Sequence, residues 1–517
     1  MVLGSVAVIA AGALLLSGGS GADPETPAGL PGMPPPFLGV AVLGDGGLTA
    51  AVDAYGNVVD LRAPGPAGRA LIENPADRQA AGTVDPDTGI QVRVRRGGGP
   101  APLWRADRIE QAYLPGTNVL RTVAEFGDAR VEIREAVRGK MLAMVVDSGS
   151  SSVAVRVDAD LGCEKAGGDR AVLLCSAQGR SARMHFFPVC GKNCVRSSAQ
   201  DLFERAVASD RRWLAGARPL GPGAPPWARR MYRRSLLVLH ALTDRRTGAV
   251  AAGARDGWAF VWPRDAAAAA IALATAGYQP EAERAARFLL GVGLEQAARF
   301  HGDGNPVPGR AAQGDEIGWT AAAADAAGIV GSARQAARIL TGGRPVPWRD
   351  RADYWEGESG DYLGNAIASV DGPSRRLYAG RSARRLVRRP GDPASGLDSA
   401  AAWAVRPFPQ PRLYRAVRKT LQQLTAGRTR FGITPGEAWP GSDPWSAPTA
   451  WSAWSLAALG ERKQASELVR ALRRSATPAG TLPERVDAET GVTRSTTPLT
   501  WSHAFAILAL RELWPRH

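Results

Sequence analysis

Over the second half of the chain, apolar residues recur at helical spacing between Gly and Pro punctuation. The pattern resolves into twelve segments: 227–243, 265–278, 280–297, 315–330, 333–341, 358–369, 373–388, 396–407, 411–427, 447–460, 462–476 and 499–514. Junctions alternate in length. Gly331-Ser332 and Gly460 leave no room for a site, whereas the junctions into the even-numbered segments are longer and rich in Trp and carboxylates. Even segments are the more apolar set, as in Asp265-Ala-Ala-Ala-Ala-Ala-Ile-Ala-Leu-Ala, and odd ones carry Arg and Glu, as in Pro280-Glu-Ala-Glu-Arg-Ala-Ala-Arg287. That polarity difference predicts an inner ring of even helices wrapped by an outer ring of odd ones, an (α/α)6 barrel of six helical hairpins. An open solenoid of hairpins is the alternative, but it calls for a repeating unit of fixed period, and these pairs share none. In an antiparallel stack the even helices start at one rim, where unpaired N–H groups and positive dipole ends gather.

Earlier in the chain the period changes to two. Stretches such as Ile90-Gln-Val-Arg-Val-Arg95 and Val131-Glu-Ile-Arg-Glu-Ala-Val137 alternate between Gly, Pro and Asp punctuation, which predicts an N-terminal antiparallel β-sandwich over 37–200. A helix near 201–214 and a Pro/Gly-rich run then form a linker over 201–226, and 227–517 is the barrel. Residues 2–16 are one apolar run, followed by small residues and a Pro/Gly-rich spacer to Pro36. This predicts a secretory signal and export, to the exterior or the cell envelope, although no Lys or Arg precedes Arg62.

The net charge of +15 suggests nucleic acid until its makeup is counted: five of the 64 basic residues are Lys, and the rest are Arg, accompanied by abundant Ala and Gly. Clusters such as Arg229-Arg230-Met-Tyr-Arg233-Arg234 fall at helical spacing on outer helices, where a solvated face accounts for them and no nucleic-acid partner is called for. Attraction to an anionic envelope surface fits the same charge. Four Cys residues lie within 32 positions, at 163, 175, 190 and 194. In an exported chain they predict disulfides, Cys163–Cys175 with Cys190–Cys194 being the simplest of three pairings. Five scattered His residues add no metal-ligand pattern, so neither metal nor cofactor is expected.

Two carboxylates stand out on the predicted rim. Glu356 lies in Asp353-Tyr-Trp-Glu-Gly-Glu-Ser-Gly360, beside a Trp that would keep a carboxyl dry for acid duty, and Glu484 lies in Leu482-Pro-Glu-Arg-Val-Asp487. Cleaving a glycosidic bond requires one group to protonate the leaving oxygen and a second to activate water or attack carbon. From position alone, a Glu at a helix start is more commonly a dipole partner or capping residue, and a Glu in a turn is common without any catalytic role.

Taken in order, Arg255-Asp-Gly-Trp-Ala-Phe-Val-Trp-Pro-Arg-Asp265, Gln313-Gly-Asp-Glu-Ile-Gly318, Asp353-Tyr-Trp-Glu356, Pro444-Trp445, and Leu482-Pro-Glu484 with Pro498-Leu-Thr-Trp-Ser-His503 resemble bacterial members of glycoside hydrolase family 15, the glucoamylase-like enzymes. The resemblance covers about 225–514. It implies an inverting, exo-acting α-glucosidase acting on an α-linked glucan, with Glu356 as general acid and Glu484 as general base. It also implies that Arg264 and Asp265 hold the terminal sugar, that Trp262, Trp355 and Trp445 line the subsites, and that Asp315, Glu316 and Trp501 contribute to substrate binding. α,α-Trehalase and dextran hydrolysis are the alternatives on the same site, and a non-catalytic glycan-binding or envelope protein is the alternative from another class. The chain departs from the family pattern at Phe260, where a Tyr is usual, and at Arg485, a cation expected to lower the pKa of Glu484.

Overall fold

The computed structural model describes residues 39–73, 89–96, 99–148, 152–158, 162–166, 170–176, 192–369 and 385–516. The signal-like segment, Cys190 and most of the predicted helix 373–388 lie outside them.

Thirteen described strands form two antiparallel sheets. The first runs β1 (Gly39–Gly44), β2 (Thr49–Asp53), β3 (Val58–Ala63), β5 (Gly89–Arg96) and β11 (Ser152–Asp158), with β4 (Arg69–Glu73) on β3 and β6 (Gly99–Pro102) on β5. The second runs β12 (Gly162–Ala166), β13 (Arg170–Ser176), β10 (Met141–Asp147), β9 (Ala129–Arg138), β8 (Leu120–Phe126) and β7 (Arg108–Tyr113). Alternation decides what each face meets. Leu142, Met144 and Val146 of β10 enter the core between the sheets with Leu61, Ile90 and Val92, while Ala143 and Val145 turn outward. The outward pair packs on Ala199, Leu202, Phe203 and Ala206 of α1 (Lys192–Ala215). The linker expected from Asp201 is thus a longer helix, docked on the second sheet through an apolar stripe that period-two reading does not detect. Cys163 and Cys175 are cross-strand partners joined by a disulfide.

The first sheet's outer face meets the helical domain, where Val42, Ala51 and Val59 pack against Val238, Ala241 and Leu242 of α2 (Pro226–Leu242). Next along the chain come α3 (Pro263–Ala276), α4 (Gln279–Gly291), α5 (Glu316–Ala326), α6 (Ala333–Leu340), α7 (Leu363–Ala368), a 3₁₀ helix (Ser399–Ala404), α8 (Tyr414–Ala426), α9 (Ser446–Ala458), α10 (Arg462–Ser475) and α11 (Thr500–Leu513). α3 packs on α5, α5 on α7, α7 on the 3₁₀ helix, that helix on α9, α9 on α11, and α11 back on α3. The ring is closed, which excludes the solenoid. Its members are buried nearly all round, whereas α4, α8 and α10 bury one face only.

Small residues let the inner helices approach. A Cβ on Gly318 of α5 would lie 1.8 Å from the Ala368 carbonyl oxygen. Aromatics fill the space enclosed: Trp319, Trp403, Trp451 and Phe505 meet edge to face, with centroids 5.2 Å apart for Trp319–Trp403 and 5.4 Å for both Trp403–Trp451 and Trp451–Phe505.

Three segments differ from expectation. α7 starts at Leu363 instead of 358, because Arg351 and Gly360 pair as a bridge and hold the preceding chain extended. Segment 396–407 is a 3₁₀ helix capped by Asp398, whose side chain accepts from the Ala400 N–H. The described end of segment 373–388 is no helix: β14 (Val387–Arg389) pairs with β15 (Asp392–Leu397) across Pro390 and Gly391, the latter at φ 84°.

Candidate active site

The inner helices begin at one rim, and a cavity of about 880 Å³ opens there, within the range of sites that hold small ligands. Trp262 stands at the N-cap of α3, Arg264 and Asp265 in its first turn, Trp445 at the N-cap of α9 and Trp501 in the first turn of α11. Loops supply Glu356 and Glu484, which line this same cavity although 128 positions apart. Glu73 at the end of β4 also reaches its wall, so the sandwich helps frame the mouth.

Glu356 sits in a tight turn, its N–H donating to the Asp353 carbonyl at 2.8 Å. Its φ of 58° is left-handed, which only one other described non-Gly residue, Asp350, shares. Such strain costs on the order of 1–3 kcal/mol and concentrates where function requires a particular side-chain direction. Asp353 anchors the turn. Its carboxylate, fully buried, accepts from the Trp355 N–H at 3.1 Å and from Arg388 Nε at 3.0 Å. Arg388 comes from β14, so the hairpin that replaces the expected helix braces this loop.

Around the Glu356 carboxylate, Trp262 Nε1 donates to Oε1 at 2.6 Å, Gln313 Nε2 donates to Oε1 at 3.2 Å, and Arg310 pairs with Oε2. Gln313 in turn accepts from Arg264 Nη1 at 2.7 Å, and the same nitrogen donates to Asp315 at 3.1 Å. Arg264 also lies 3.7 Å from Asp265 and has its guanidinium 4.8 Å from the centre of the Trp501 ring. One continuous polar chain therefore joins Asp315, Arg264, Gln313 and Glu356. Burial pushes Asp265 up to about 7, against the pull of Arg264, with Glu484 and Asp315 adding to the rise.

Asp315 and Glu316 do not reach the cavity wall. Asp315 is fully buried behind Arg264, and Glu316 is equally buried. Burial raises Glu316 well above the ordinary carboxylate range, with nearby Asp315 adding to the rise. Of the expected substrate contacts, Trp262, Arg264, Asp265, Trp355, Trp445 and Trp501 line the cavity.

Glu484 is half-buried, and its backbone N–H donates to Thr496 O at 3.0 Å. The Ser495 hydroxyl donates to Oε2, and the Trp258 indole donates to the same carboxylate. Burial raises its pKa, outweighing those donors and the nearby Arg485 and Arg310. The depression expected from Arg485 is thus only one contribution. That guanidinium is shared with Asp443, to which it donates at 2.9 Å. Phe260 lines the wall with the Arg299 guanidinium 4.9 Å from its ring centre, and Trp258 supplies the polar contact to the base.

The rest of the wall is aromatic. Trp355 lies 4.8 Å from both Trp439 and Trp445, and 5.8 Å from Trp501. The indole nitrogens of Trp355, Trp445 and Trp501 are buried and have no acceptor among the described residues, so these side chains meet the cavity through their rings. A sugar suits such a wall, with apolar ring faces for indoles to cover.

No protein-family model matches this chain, and no curated protein matches it by sequence. Solved structures do. A bacterial glucoamylase, determined complexed with acarbose, superposes over 94% of this chain and 96% of its own with a TM-score of 0.71, at 13% identity. The fold is that of a bacterial glucoamylase. Both the β-sandwich and the (α/α)6 barrel fall within the match. A wild-type glycosidase aligns with 56% of this chain and 99% of its own at 21% identity, with a TM-score of 0.48. A glucoamylase from Saccharomycopsis fibuligera aligns with 57% of this chain and 96% of its own at 14% identity, with a TM-score of 0.44. Only the first of these three likenesses is close enough to bear on the fold.

Pattern reading did not single out Arg299 and Arg310, yet both line the cavity, together with Trp258, Tyr354 and Trp439 from the loops that lead into the inner helices. The two arginines stand in the aperiodic stretch between α4 and α5, where no motif singles out one Arg among many.

Proposed function

We propose that the protein is an inverting α-glycoside hydrolase that releases glucose from the non-reducing end of an α-linked oligo- or polysaccharide. Glu356 protonates the leaving oxygen and Glu484 activates the attacking water. The observation that carries this reading is the presence of both carboxylates on the wall of one Trp-lined cavity. Their surroundings differ as the two tasks require. Glu356 sits on an indole, an amide and a long-armed guanidinium that a leaving group can displace. Glu484 has its pKa raised by burial, which makes it a stronger base than an ordinary carboxylate, and it keeps two donors that hold it in direction.

Arg264 and Asp265, in the first turn of α3, are the fixed polar pair for the terminal sugar's hydroxyls, and the rings of Trp355, Trp445 and Trp501 complete its contacts. The occupant named for the matched bacterial glucoamylase, acarbose, agrees with an α-glucan ligand for this cavity. In this reading export places the enzyme where such glucans are met.

The test is a pair of substitutions, Glu356→Gln and Glu484→Gln, assayed on maltooligosaccharides, isomaltose and trehalose. Hydrolysis should fall by at least about a hundredfold in each variant, the scale of general acid–base catalysis, while sugar binding persists. Binding without wild-type turnover on any α-glycoside would leave a glycan-binding protein and refute the enzymatic reading.

A further inference from the structure

The arginines of the cavity are not all accounted for by hydrolysis of a neutral sugar. Arg264 is held by Asp315, Gln313 and Asp265. Arg310 pairs with Glu356 and is also close enough to Glu484 for each to shift the other's titration. Arg299 has no carboxylate within ion-pairing distance among the described residues. One of its terminal nitrogens donates to the Gly257 carbonyl at 3.3 Å, and its Nε is buried without an acceptor. Its guanidinium lies 4.9 Å from the Phe260 ring centre and 5.5 Å from that of Trp262, and Arg310 lies 5.9 Å from Trp262.

The other carboxylates lining the cavity have partners of their own. Asp265 lies against Arg264, Glu484 accepts from Ser495 and Trp258, and Glu73 lies 3.6 Å from Arg62. Two guanidiniums thus lie near the Trp262 ring on one wall, and of the two only Arg310 has a carboxylate, Glu356, within ion-pairing distance among the described residues. Burial and the neighbouring Arg310 together lower the pKa of Arg299, the mark of like charges crowded without a counter-ion.

We propose that the leaving sugar carries an anionic substituent, a carboxylate or a phosphate ester, which the guanidiniums of Arg299 and Arg310 bind together. This rests on the hydrolytic reading, in which Glu356 faces the leaving group. Planar guanidiniums match both anions through paired N–H donors. A carboxyl that is to donate a proton cannot keep a guanidinium on it, so Arg310 has to leave Glu356 before the bond breaks. An anion on the leaving sugar gives Arg310 its new partner and gives Arg299 the one it lacks. The chain's charge of +15 draws such a substrate towards the mouth.

The experiment uses three sugars that differ only at C6 of the reducing-end residue: maltose, its 6-carboxylate and its 6-phosphate. Hydrolysis and calorimetric binding are measured for the full chain and for Arg299→Met, with thermal unfolding confirming that the variant is folded. The anionic sugars should exceed maltose at least about tenfold in kcat/KM, mainly through KM, and that ratio should fall to about one in Arg299→Met. Whichever anionic sugar is preferred identifies the substituent. Equal handling of all three sugars by the wild type, or a ratio that survives in Arg299→Met, would overturn the proposal while leaving hydrolysis intact. Anionic sugars that bind through Arg299 but are never cleaved would uphold the anion site and overturn the hydrolytic reading.

Discussion

Asp315→Asn tests whether the polar chain beneath the cavity positions Arg264. The substitution keeps the shape of the side chain and removes its charge. Arg264 and Asp315 are both almost wholly buried, 4% and 0% exposed, and their contact is 3.1 Å. Removing one member of a buried pair costs about 3–5 kcal/mol when the other is left uncompensated. Here Asp265 remains 3.7 Å away and Gln313 still accepts at 2.7 Å, so a loss of about 2–3 kcal/mol is expected. Urea unfolding of Asp315→Asn, Arg264→Met and the double variant closes a cycle in which the pair should show a coupling of about 2 kcal/mol. Kinetics on the same set separate the two possible roles. Because Asp315 does not reach the cavity, its substitution should lower kcat/KM in the wild-type background and add nothing once Arg264 is gone. A drop of equal size in both backgrounds would show that Asp315 acts on the substrate directly and would refute the positioning argument.

Two further outcomes are expected from the geometry. Trp258→Phe removes a donor that favours the ionised form of Glu484, whose pKa burial already raises; the acid limb of the kcat/KM profile, which reports the free enzyme's base, should therefore move to higher pH, and a limb that stays in place or moves down would contradict the assignment of Glu484 as base. Gly318→Ala puts a methyl 1.8 Å from the Ala368 carbonyl, where neither backbone can yield without opening the ring, so it should destabilise the barrel by about 3 kcal/mol or more, read as a lowered denaturant midpoint; an unchanged midpoint would mean that α5 and α7 are not so closely packed.

Much of the barrel was legible because its physical cause acts along the chain. A helix buried on all sides must be apolar on all sides, and α3, α5, α9 and α11 announce themselves in that way. The loops holding Glu356 and Glu484 were readable from motif order. What escaped has causes that act across the chain. Leu386 and Val387, flanked by arginines, suit a helix or a strand, and pairing with β15 decides for the strand. Asp315 and Glu316 look like substrate contacts until the ring closes over them. Arg299 and Arg310 carry no periodic signal, because a loop arginine acquires its meaning only from the carboxylates and aromatic rings that the fold sets beside it.

The central claim is that Glu356 and Glu484 act on opposite faces of the scissile bond as acid and base. Inversion at the anomeric carbon is its direct consequence. The most direct measurement is proton NMR of a fresh digest of an α-linked substrate, recorded before the anomers equilibrate by mutarotation. β-Glucose should appear first and α-glucose only later. α-Glucose as the initial product would require a covalent intermediate and would contradict the account.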